Sequence, residues 1–252
     1  VGSEMCIRDR TGNVVFLPFD LTVPFARICA RSGHMRLKRF DIADVYRENL
    51  LAGGQPRAVL AASYDIISQE PDPSAEAEVL ALMYELLQMP GLAGEAWNVE
   101  LSHESILRVF LQRFPAQFHS ALLEALPQYL ARGSDARVRH LLGSAGMPVS
   151  LLDEVDAWNI YEDFDTAVHT LAELLTPEER TKLAEPLAHL VSVVRLAREF
   201  SVQSKIYLVP LFSHSHTHYR NGTMMAVSKM SSGGKHRDVL AVGGRYDELL
   251  RR

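Results

Sequence analysis

The stretch KRFDIADVYR, residues 38–47, decides the fold together with the later run VLAASYDII, residues 59–67. Residues 40–46 of the first stretch, and the whole of the second, have the length and the β-branched or aromatic content of strands. Residues 48–56, ENLLAGGQP, separate the two runs and are typical of a turn-rich connection. The sequence therefore predicts a long-looped antiparallel hairpin.

Strand-like and helical runs continue on both sides of this hairpin. Short apolar runs rich in β-branched or aromatic residues indicate strands, whereas apolar residues at helical spacing indicate helices. Strands are predicted over Val14 to Leu17, Trp97 to Leu101, Lys205 to Val209, Thr223 to Ser228 and Val239 to Val242, and helices from Leu21 through Ala30 and from Ala75 to Pro90.

The middle of the chain, from Ser102 to about Phe200, is mostly helical in pattern. Its best helix start is at Thr176, since the threonine can cap the helix and Glu179 can close a capping box. The following helix is expected to bury a row of apolar residues, namely Leu187, Leu190, Val191 and Val194. The order of strands, helices and strands predicts an α+β fold, in which an antiparallel sheet is interrupted by a helical insertion of roughly a hundred residues.

Sequence patterns divide the chain into four segments. Residues 1–10 (VGSEMCIRDR) do not extend the pattern, begin without methionine and resemble translated adaptor sequence, so they are left out of fold prediction. Residues 11–101 are predicted to form the first part of the core, 102–203 the helical insertion and 204–252 the second part of the core. We expect the fold to be truncated at both ends.

The bulk composition is that of a soluble globular protein. Of 252 residues, 47% are hydrophobic and 23% are charged, and the formal net charge is -5. Any RNA contact therefore needs a local basic surface. No apolar run could span a bilayer and no signal peptide is visible, which predicts no membrane association and a cytoplasmic location. Cys6 and Cys29 show neither pairing nor metal-ligand spacing, so we expect no disulfide.

Five short motifs follow one another along the chain outside the insertion. They are DLTVPFAR (20–27), the stretch 38–47, YDI (64–66), PSAE (73–76) and GGRYD (243–247). The first is similar to the signature segment of eukaryotic histidyl-tRNA synthetases, and the second resembles motif 2 of the class II aminoacyl-tRNA synthetases. This resemblance implies an antiparallel sheet of the class II synthetase type.

The same resemblance implies a remnant substrate pocket. In the synthetases the motif 2 arginine binds the ATP α-phosphate, a task suited to a planar guanidinium that binds two oxygens at once, and Arg47 matches it. Side chains matching Asp20 and Thr22 hold the histidine substrate, although both residues could instead cap the helix after them. The matched pocket positions are Asp20, Thr22, Asp65, Gly243, Gly244, Arg245, Tyr246 and Asp247.

Two groups that the synthetase reaction uses are absent. Synthetases carry an Arg-Glu-aromatic-x-Gln run that stacks on adenine and holds ATP and histidine, whereas Arg57 to Ala61 read RAVLA. They also carry a reaction-centre arginine whose place falls near Leu211, and no arginine occurs between Lys205 and Tyr219. Loss of such a cation typically lowers the rate ~10²- to ~10³-fold. We therefore expect no aminoacylation, and no enzyme activity of this chain.

Some residues that differ from the synthetase pattern resemble those of one branch of the family. Leu17-Pro18-Phe19-Asp20 stands where true synthetases have Leu-Arg-aromatic-Asp, and the proline resembles the regulatory domain of the kinase that phosphorylates translation initiation factor 2 alpha during starvation. That resemblance implies uncharged tRNA as a ligand, a serine/threonine kinase domain in the same polypeptide, and a homodimer. No cofactor is expected, and binding of ATP or histidine stays open. The implied tRNA contacts are Tyr46 and Arg47, supported by Arg36, Lys38, Arg39 and Arg57.

Two other functions stay open: a divergent histidyl-tRNA synthetase, and a non-catalytic synthetase paralogue that serves another complex. The run His236-Arg237-Asp238-Val239 mimics the catalytic loop of protein kinases, but no Asp-Phe-Gly or glycine-rich nucleotide loop accompanies it. His214, His216 and His218 alternate, but no cysteine or acidic partner is close in sequence, so we expect a polar loop and no metal site.

Overall fold

A computed structural model gives the fold. It describes residues 5–8, 10–32, 36–47, 56–69, 72–93, 97–132, 135–213, 218–230 and 237–251. The chain divides into two compact units: the first comprises Val1–Asp72 with Glu248–Arg252, and the second comprises Pro73–Asp247. The predicted segment boundaries at residues 101 and 203 stay a prediction.

The first unit contains two antiparallel strand pairs. Strand β1 (Met5–Arg8) pairs with β2 (Val14–Leu17), and β3 (Leu37–Arg47) pairs along its whole length with β4 (Arg57–Ile67). Helix α1 (Thr22–Ser32) lies between the two pairs in sequence. The predicted long hairpin is confirmed. Strand β1 was not predicted, because residues 1–10 were left out of fold prediction. The origin of that segment in adaptor sequence stays a prediction.

The two faces of the β3–β4 hairpin differ in exposure. Side chains alternate between the faces of a strand, and residues paired across the ladder share a face. One face carries Val45 and Ile67, both buried, and we call it the Val45 face. The opposite face carries Phe40, which is 78% exposed, with Ile42 and Leu60 also exposed, and we call it the Phe40 face. Only the Val45 face thus contributes to a core.

The second unit contains a small sheet and many helices. In chain order it contains α2 (Pro73–Leu87), β5 (Trp97–His103), α3 (Glu104–Gln112), a 3-10 helix (Ala116–Phe118), α4 (His119–Arg132), α5 (Asp135–Ser144), α6 (Val149–Ala157), β6 (Glu162–Asp163), α7 (Phe164–Leu174), α8 (Pro177–Glu199), β7 (Ile206–Leu208), β8 (Thr223–Met230) and β9 (Arg237–Gly244). The last helix, α9 (Asp247–Leu250), belongs to the first unit except for its first residue. The predicted order of strands, helices and strands is confirmed.

The strands of this unit form a five-stranded sheet in the order β6-β7-β5-β8-β9. Three of its four ladders are antiparallel, whereas β5 and β7 pair in parallel. The sequence predicted one antiparallel sheet, but the described strands divide among three sheets. The parallel pair arises because the helical insertion lies between β5 and β7, and a crossover of that length can return the chain in the same direction.

The insertion packs around a continuous apolar core. The capping box predicted at Thr176 is confirmed: Glu179 N–H donates to the threonine hydroxyl (3.3 Å), and Thr176 N–H donates to the Glu179 carboxylate (2.9 Å). In the helix that follows, Leu190 and Val194 are buried as predicted. The prediction for Val191 is wrong, because it lies one step around the helix from Leu190 and is 48% exposed.

Arg113 connects three parts of the insertion. Its guanidinium donates to the carboxylates of Glu154 and Glu179 and to the carbonyl oxygen of Leu174, and it lies 4.8 Å from the ring centroid of Trp158. The composition of the acidic stretch from Asp153 to Asp165 favours a solvated helix face, and the structure contradicts this in part. Glu154 pairs with Arg113, and the stretch also carries the buried residues Val155, Trp158, Ile160 and Phe164. Among the described helices, none is both long and apolar enough to cross a membrane.

Candidate nucleic-acid interface and remnant pocket

The end of the β3–β4 hairpin that residues 48–56 connect carries two arginines side by side. Arg47 and Arg57 are direct partners in the antiparallel ladder, and residues in that relation have their Cβ atoms about 5 Å apart on one face. Neither has a carboxylate partner among the residues that the structure describes. Like charges directly opposite each other destabilise a sheet. An anion bound between them would relieve that repulsion.

Arg47 is held in place by the segment before α1. Its Nη1 donates to the carbonyl oxygen of Phe19 and, at 3.3 Å, to that of Tyr46. Its guanidinium carbon lies 3.8 Å from the centroid of the Phe19 ring, a cation–π geometry. The backbone N–H of Tyr46 donates to the carbonyl oxygen of Pro18 at 2.9 Å. The run of residues 17–20 that distinguishes this sequence therefore docks on the end of β3.

The five cationic residues and one tyrosine that are predicted to contact tRNA do not all lie on one surface. Arg47 and Arg57 lie on the Val45 face, whereas Lys38 and Tyr46 lie on the Phe40 face. Arg36, just before β3, is exposed, as are Lys38 and Arg57.

Arg39 differs from the other predicted contacts because it is engaged inside the unit. It is 3.1 Å from Asp65 and 3.3 Å from Asp41, and it lies 3.6 Å from the centroid of the Phe25 ring. Its side chain is only 22% exposed. Arg39 is therefore placed to support the hairpin.

The predicted pocket residues of the first unit have partners within it. An oxygen of Asp20 accepts the backbone N–H of Val23 at 2.9 Å, so Asp20 caps α1, which is the structural alternative weighed for it. Thr22 is the first residue of that helix. The buried carboxylate of Asp65 accepts from Arg39 and from the hydroxyl of Ser63 (3.4 Å).

The remaining predicted pocket residues lie at the end of β9 and just after it. A Cβ added to Gly244 would come 2.5 Å from the carbonyl oxygen of Thr223, so only glycine fits there. Arg245 pairs with Asp247 at 2.7 Å. Gly243 belongs to the same strand, and Tyr246 packs against an apolar cluster formed by Val209, Phe212, Tyr219, Met224 and Ala226.

Glu76 organises the polar centre of the second unit. Its buried Oε1 accepts from His189 Nε2 at 2.8 Å and from the Thr223 hydroxyl at 3.2 Å, and it lies 3.9 Å from Nη1 of Arg245. The sequence placed Glu76 in a family motif but did not identify it as a site residue. Its partners come from three distant parts of the chain, and only its position in the PSAE motif pointed to it.

His103, at the end of β5, is buried beside this centre. Its Nδ1 accepts the backbone N–H of Ser105 at 3.2 Å and so caps α3. Burial is the main reason that its pKa is lowered to about 4, and the neighbouring His189 lowers it further, while Glu104 and Glu76 oppose the shift. The imidazole is therefore neutral near pH 7.

Glu100 is a second buried carboxylate that the sequence analysis missed. It is 1% exposed and accepts from the hydroxyls of Tyr161 (3.1 Å) and Ser228. Tyr161 stacks on Tyr207 with ring centroids 4.5 Å apart. The available signal was a single charged residue inside an otherwise strand-like run, because such a residue is buried only when it has partners. Its carboxylate is satisfied by hydroxyls of the protein itself.

The family resemblance places the synthetases' reaction-centre arginine near Leu211, where the described residues 206–213 include no cationic side chain. Leu211 and Phe212 are both buried. Among the described residues, no group of three or more His, Cys, Asp or Glu side chains could hold a metal ion. His214 and His216, which were considered as metal ligands, lie outside the described residues.

A family model described as histidyl-tRNA synthetase matches residues 4–252. The chain belongs to the histidyl-tRNA synthetase family. It is 25% identical over 254 residues to eIF-2-alpha kinase GCN2 of Schizosaccharomyces pombe, a match that covers 99% of this chain and 16% of the kinase. The corresponding kinase of Homo sapiens is 26% identical over 257 residues, which cover 96% of this chain and 15% of the kinase. The similarity to these kinases that the sequence suggested is thus confirmed.

A further relative in this family is a probable cytoplasmic histidine–tRNA ligase of Encephalitozoon cuniculi. It is 34% identical over 108 residues, which cover 42% of this chain and 24% of the ligase. The match to this ligase is partial, but a cytoplasmic histidine–tRNA ligase of Dictyostelium discoideum is 23% identical over 265 residues, which cover 97% of this chain and 51% of that ligase, so coverage of this chain does not separate the ligases from the kinases.

Solved structures of the histidyl-tRNA synthetase family share this fold. An ATP phosphoribosyltransferase regulatory subunit/histidyl-tRNA synthetase from Bacillus halodurans superimposes with a TM-score of 0.75 at 19% identity, over 99% of this chain and 62% of that chain. Histidyl-tRNA synthetase from Nostoc gives 0.70 at 15% identity, over 98% and 61% of the two chains. The predicted class II synthetase fold is confirmed.

Proposed function

We propose that this chain is a histidyl-tRNA-synthetase-like regulatory module that binds uncharged tRNA and controls a serine/threonine kinase domain in the same polypeptide during amino-acid starvation. The match to eIF-2-alpha kinases over nearly the whole chain supports the link to a kinase. The chain spans only 15% to 16% of those relatives' length, so the activity of the parent protein belongs to this proposal. The cytoplasmic location and the homodimer stay predictions.

The observation that carries the RNA part of the proposal is the pairing of Arg47 with Arg57. Two guanidiniums with no acidic partner among the described residues attract an anion. Phosphate is the anion that RNA offers at every nucleotide, and a guanidinium can bind two of its oxygens at once. Because the chain as a whole is negative, a small cationic site such as this one must supply the attraction.

Two observations are consistent with a lost aminoacylation site. Leu211 and Phe212, near which the family resemblance places the reaction-centre arginine, are buried apolar side chains. One carboxylate oxygen of Asp20, the residue that the resemblance assigns to histidine binding, caps α1. These observations support a module that has kept the fold and lost the reaction.

The second candidate function is that of a divergent histidyl-tRNA synthetase. Two observations are in its favour: the 34% identity to the Encephalitozoon ligase over 108 residues, and the match of the Dictyostelium ligase over 97% of this chain. The structural likeness to a bacterial regulatory subunit concerns the fold alone, since the identity is 19%. Histidyl-adenylate formation separates the first two candidates, and its expected outcome is given among the predictions below.

Binding of uncharged tRNA by the parent protein and by Arg47→Leu, measured at several salt concentrations, tests the proposal. Loss of one phosphate contact should weaken binding on the order of tenfold and make the salt dependence shallower by about one unit. Arg180→Leu is the matched control, because it removes the same charge from an exposed position on α8. Circular dichroism must show that both variants are folded. Equal affinity and slope in parent and Arg47→Leu would contradict the proposal.

A further inference from the structure

We propose that Phe19 is a positioning residue for Arg47, which holds the guanidinium so that its free edge points to a phosphate. This inference rests on the proposed function, because it assigns a purpose to the contact between the two side chains. It adds a residue outside motif 2 to the RNA site, next to Pro18, the residue of the run 17–20 that departs from the synthetase pattern.

The contacts that Arg47 makes with described residues involve one part of its guanidinium. Nη1 donates to the carbonyl oxygens of Phe19 and Tyr46, and the guanidinium carbon lies over the Phe19 ring. Nε and Nη2 donate to no residue that the structure describes. Those two nitrogens form the edge that matches two oxygens of one phosphate. The contact with Phe19 therefore fixes the arginine, and no described residue occupies its phosphate-binding edge.

Phe19 can act in this way because the backbone on either side of it is anchored. The carbonyl oxygen of Pro18 accepts the N–H of Tyr46 at 2.9 Å, and the proline ring restricts its own backbone. The carboxylate of Asp20 caps α1 through the N–H of Val23 at 2.9 Å. A residue between two such anchors has little freedom to move. Its ring is therefore a fixed surface on which the flexible arginine can rest.

A fixed guanidinium binds phosphate more tightly than a mobile one. Arginine has several rotatable bonds, and ordering them on binding opposes association. The stack on Phe19 orders them beforehand. If the Phe19 contact instead competed with phosphate for the arginine, removing the ring would make RNA binding tighter. The sign of the effect therefore distinguishes positioning from competition.

A double-mutant cycle on uncharged tRNA binding tests the inference. Phe19→Leu removes the ring, keeps the carbonyl oxygen, and should weaken binding about three- to fivefold. Phe19→Tyr keeps the ring and should bind as the parent does. In the Arg47→Leu background, Phe19→Leu should change affinity less than about twofold, because no guanidinium is left to position. If Phe19→Leu only disturbed the local structure, it would weaken tRNA binding both in the parent protein and in Arg47→Leu. Phe19→Met replaces Phe19→Leu if circular dichroism shows that the leucine variant is unfolded.

A second measurement needs no RNA. The ¹⁵N order parameter of the Arg47 Nε–H group should fall in Phe19→Leu and stay at the parent value in Phe19→Tyr. An unchanged order parameter, or tighter binding by Phe19→Leu, overturns the positioning role. If the order parameter falls but Arg47→Leu binds tRNA as the parent does, the positioning stands as a structural fact and the proposed RNA site is overturned.

Discussion

The carboxylate of Glu76 and the imidazole of His189 lie 2.8 Å apart, although 113 residues separate them in the chain. Glu76 is on α2, at the start of the second unit, and His189 is on α8, the last helix of the insertion. The same carboxylate oxygen accepts the hydroxyl of Thr223 on β8. One side chain therefore joins the insertion to the sheet.

Replacing Glu76 by alanine should destabilise the protein by about 2 to 4 kcal/mol, because the buried Thr223 hydroxyl and the His189 ring lose their acceptor. Glu85→Ala, at an exposed position on the same helix, is the control and should change stability by less than about 0.5 kcal/mol. Urea unfolding measures both. Equal effects of the two variants would show that the Glu76 contacts contribute nothing beyond a surface carboxylate.

Stability should fall on acidification through the titration of His103. Its pKa is lowered from 6.5 to about 4 in the folded state, mainly by burial. Between those pH values the unfolded chain binds more protons than the folded chain, so stability is complete above about pH 6.5 and is lost as pH falls toward 4. The loss from this group is roughly 2 to 3 kcal/mol. The charged and titratable groups that act on it are His189, Glu104, Glu76 and Arg108.

The variant His103→Asn isolates this contribution. Asparagine also accepts a backbone N–H at a helix start, so α3 keeps its cap. The free energy of unfolding, measured by urea at several pH values, should depend less steeply on pH in the variant between pH 6.5 and 4. Identical slopes in the two proteins would assign the acid sensitivity to other groups.

Leu190→Ala should destabilise the protein by about 2 to 5 kcal/mol, since the side chain is fully buried and its loss leaves a cavity. The neighbouring Val191→Ala is the matched control, because Val191 is largely exposed, and its effect should stay within about 0.5 kcal/mol. Thermal or urea unfolding measures the difference. A Val191 effect as large as that of Leu190 would mean that α8 is buried on both sides.

The protein should not form histidyl-adenylate. The developing negative charge of that reaction needs a fixed cation, and the described residues 206–213 around Leu211 include no cationic side chain. Histidine-dependent exchange of pyrophosphate into ATP should therefore equal the rate without protein, with an active histidyl-tRNA synthetase as positive control. Exchange above the blank would support the divergent synthetase instead.

Local patterns predicted the elements well, whereas long-range partners could not be predicted. The hairpin, the Thr176 capping box and the strands after the insertion depend on neighbouring residues, so periodicity and capping residues reveal them. The pairing of Glu76 with His189 depends on how two helices meet, and no periodicity within either helix encodes that. The parallel pairing of β5 with β7 was missed for the same reason, because a crossover connection permits either direction.

The candidate RNA site was predicted in its composition but not in its geometry. The resemblance to motif 2 identified Arg47, and the strand alternation that separates Arg39 and Arg47 from Lys38 and Tyr46 was present in the sequence, although it was not used. The role of Phe19 could not be predicted, because its contact with Arg47 joins residues 28 positions apart. Only the fold brings them together.

Because the Phe40 face of the hairpin is open to water, packing holds β3 and β4 from one side only. A two-stranded ribbon is marginally stable in water, and segments with few buried apolar contacts open before the rest of a protein. The backbone amides of β3 and β4 should therefore exchange with deuterium earlier than those of β5, which lies at the centre of the five-stranded sheet. An anion that bridges Arg47 and Arg57 would hold the two strands together at the end where residues 48–56 connect them, and would slow the exchange of the amides nearest that end.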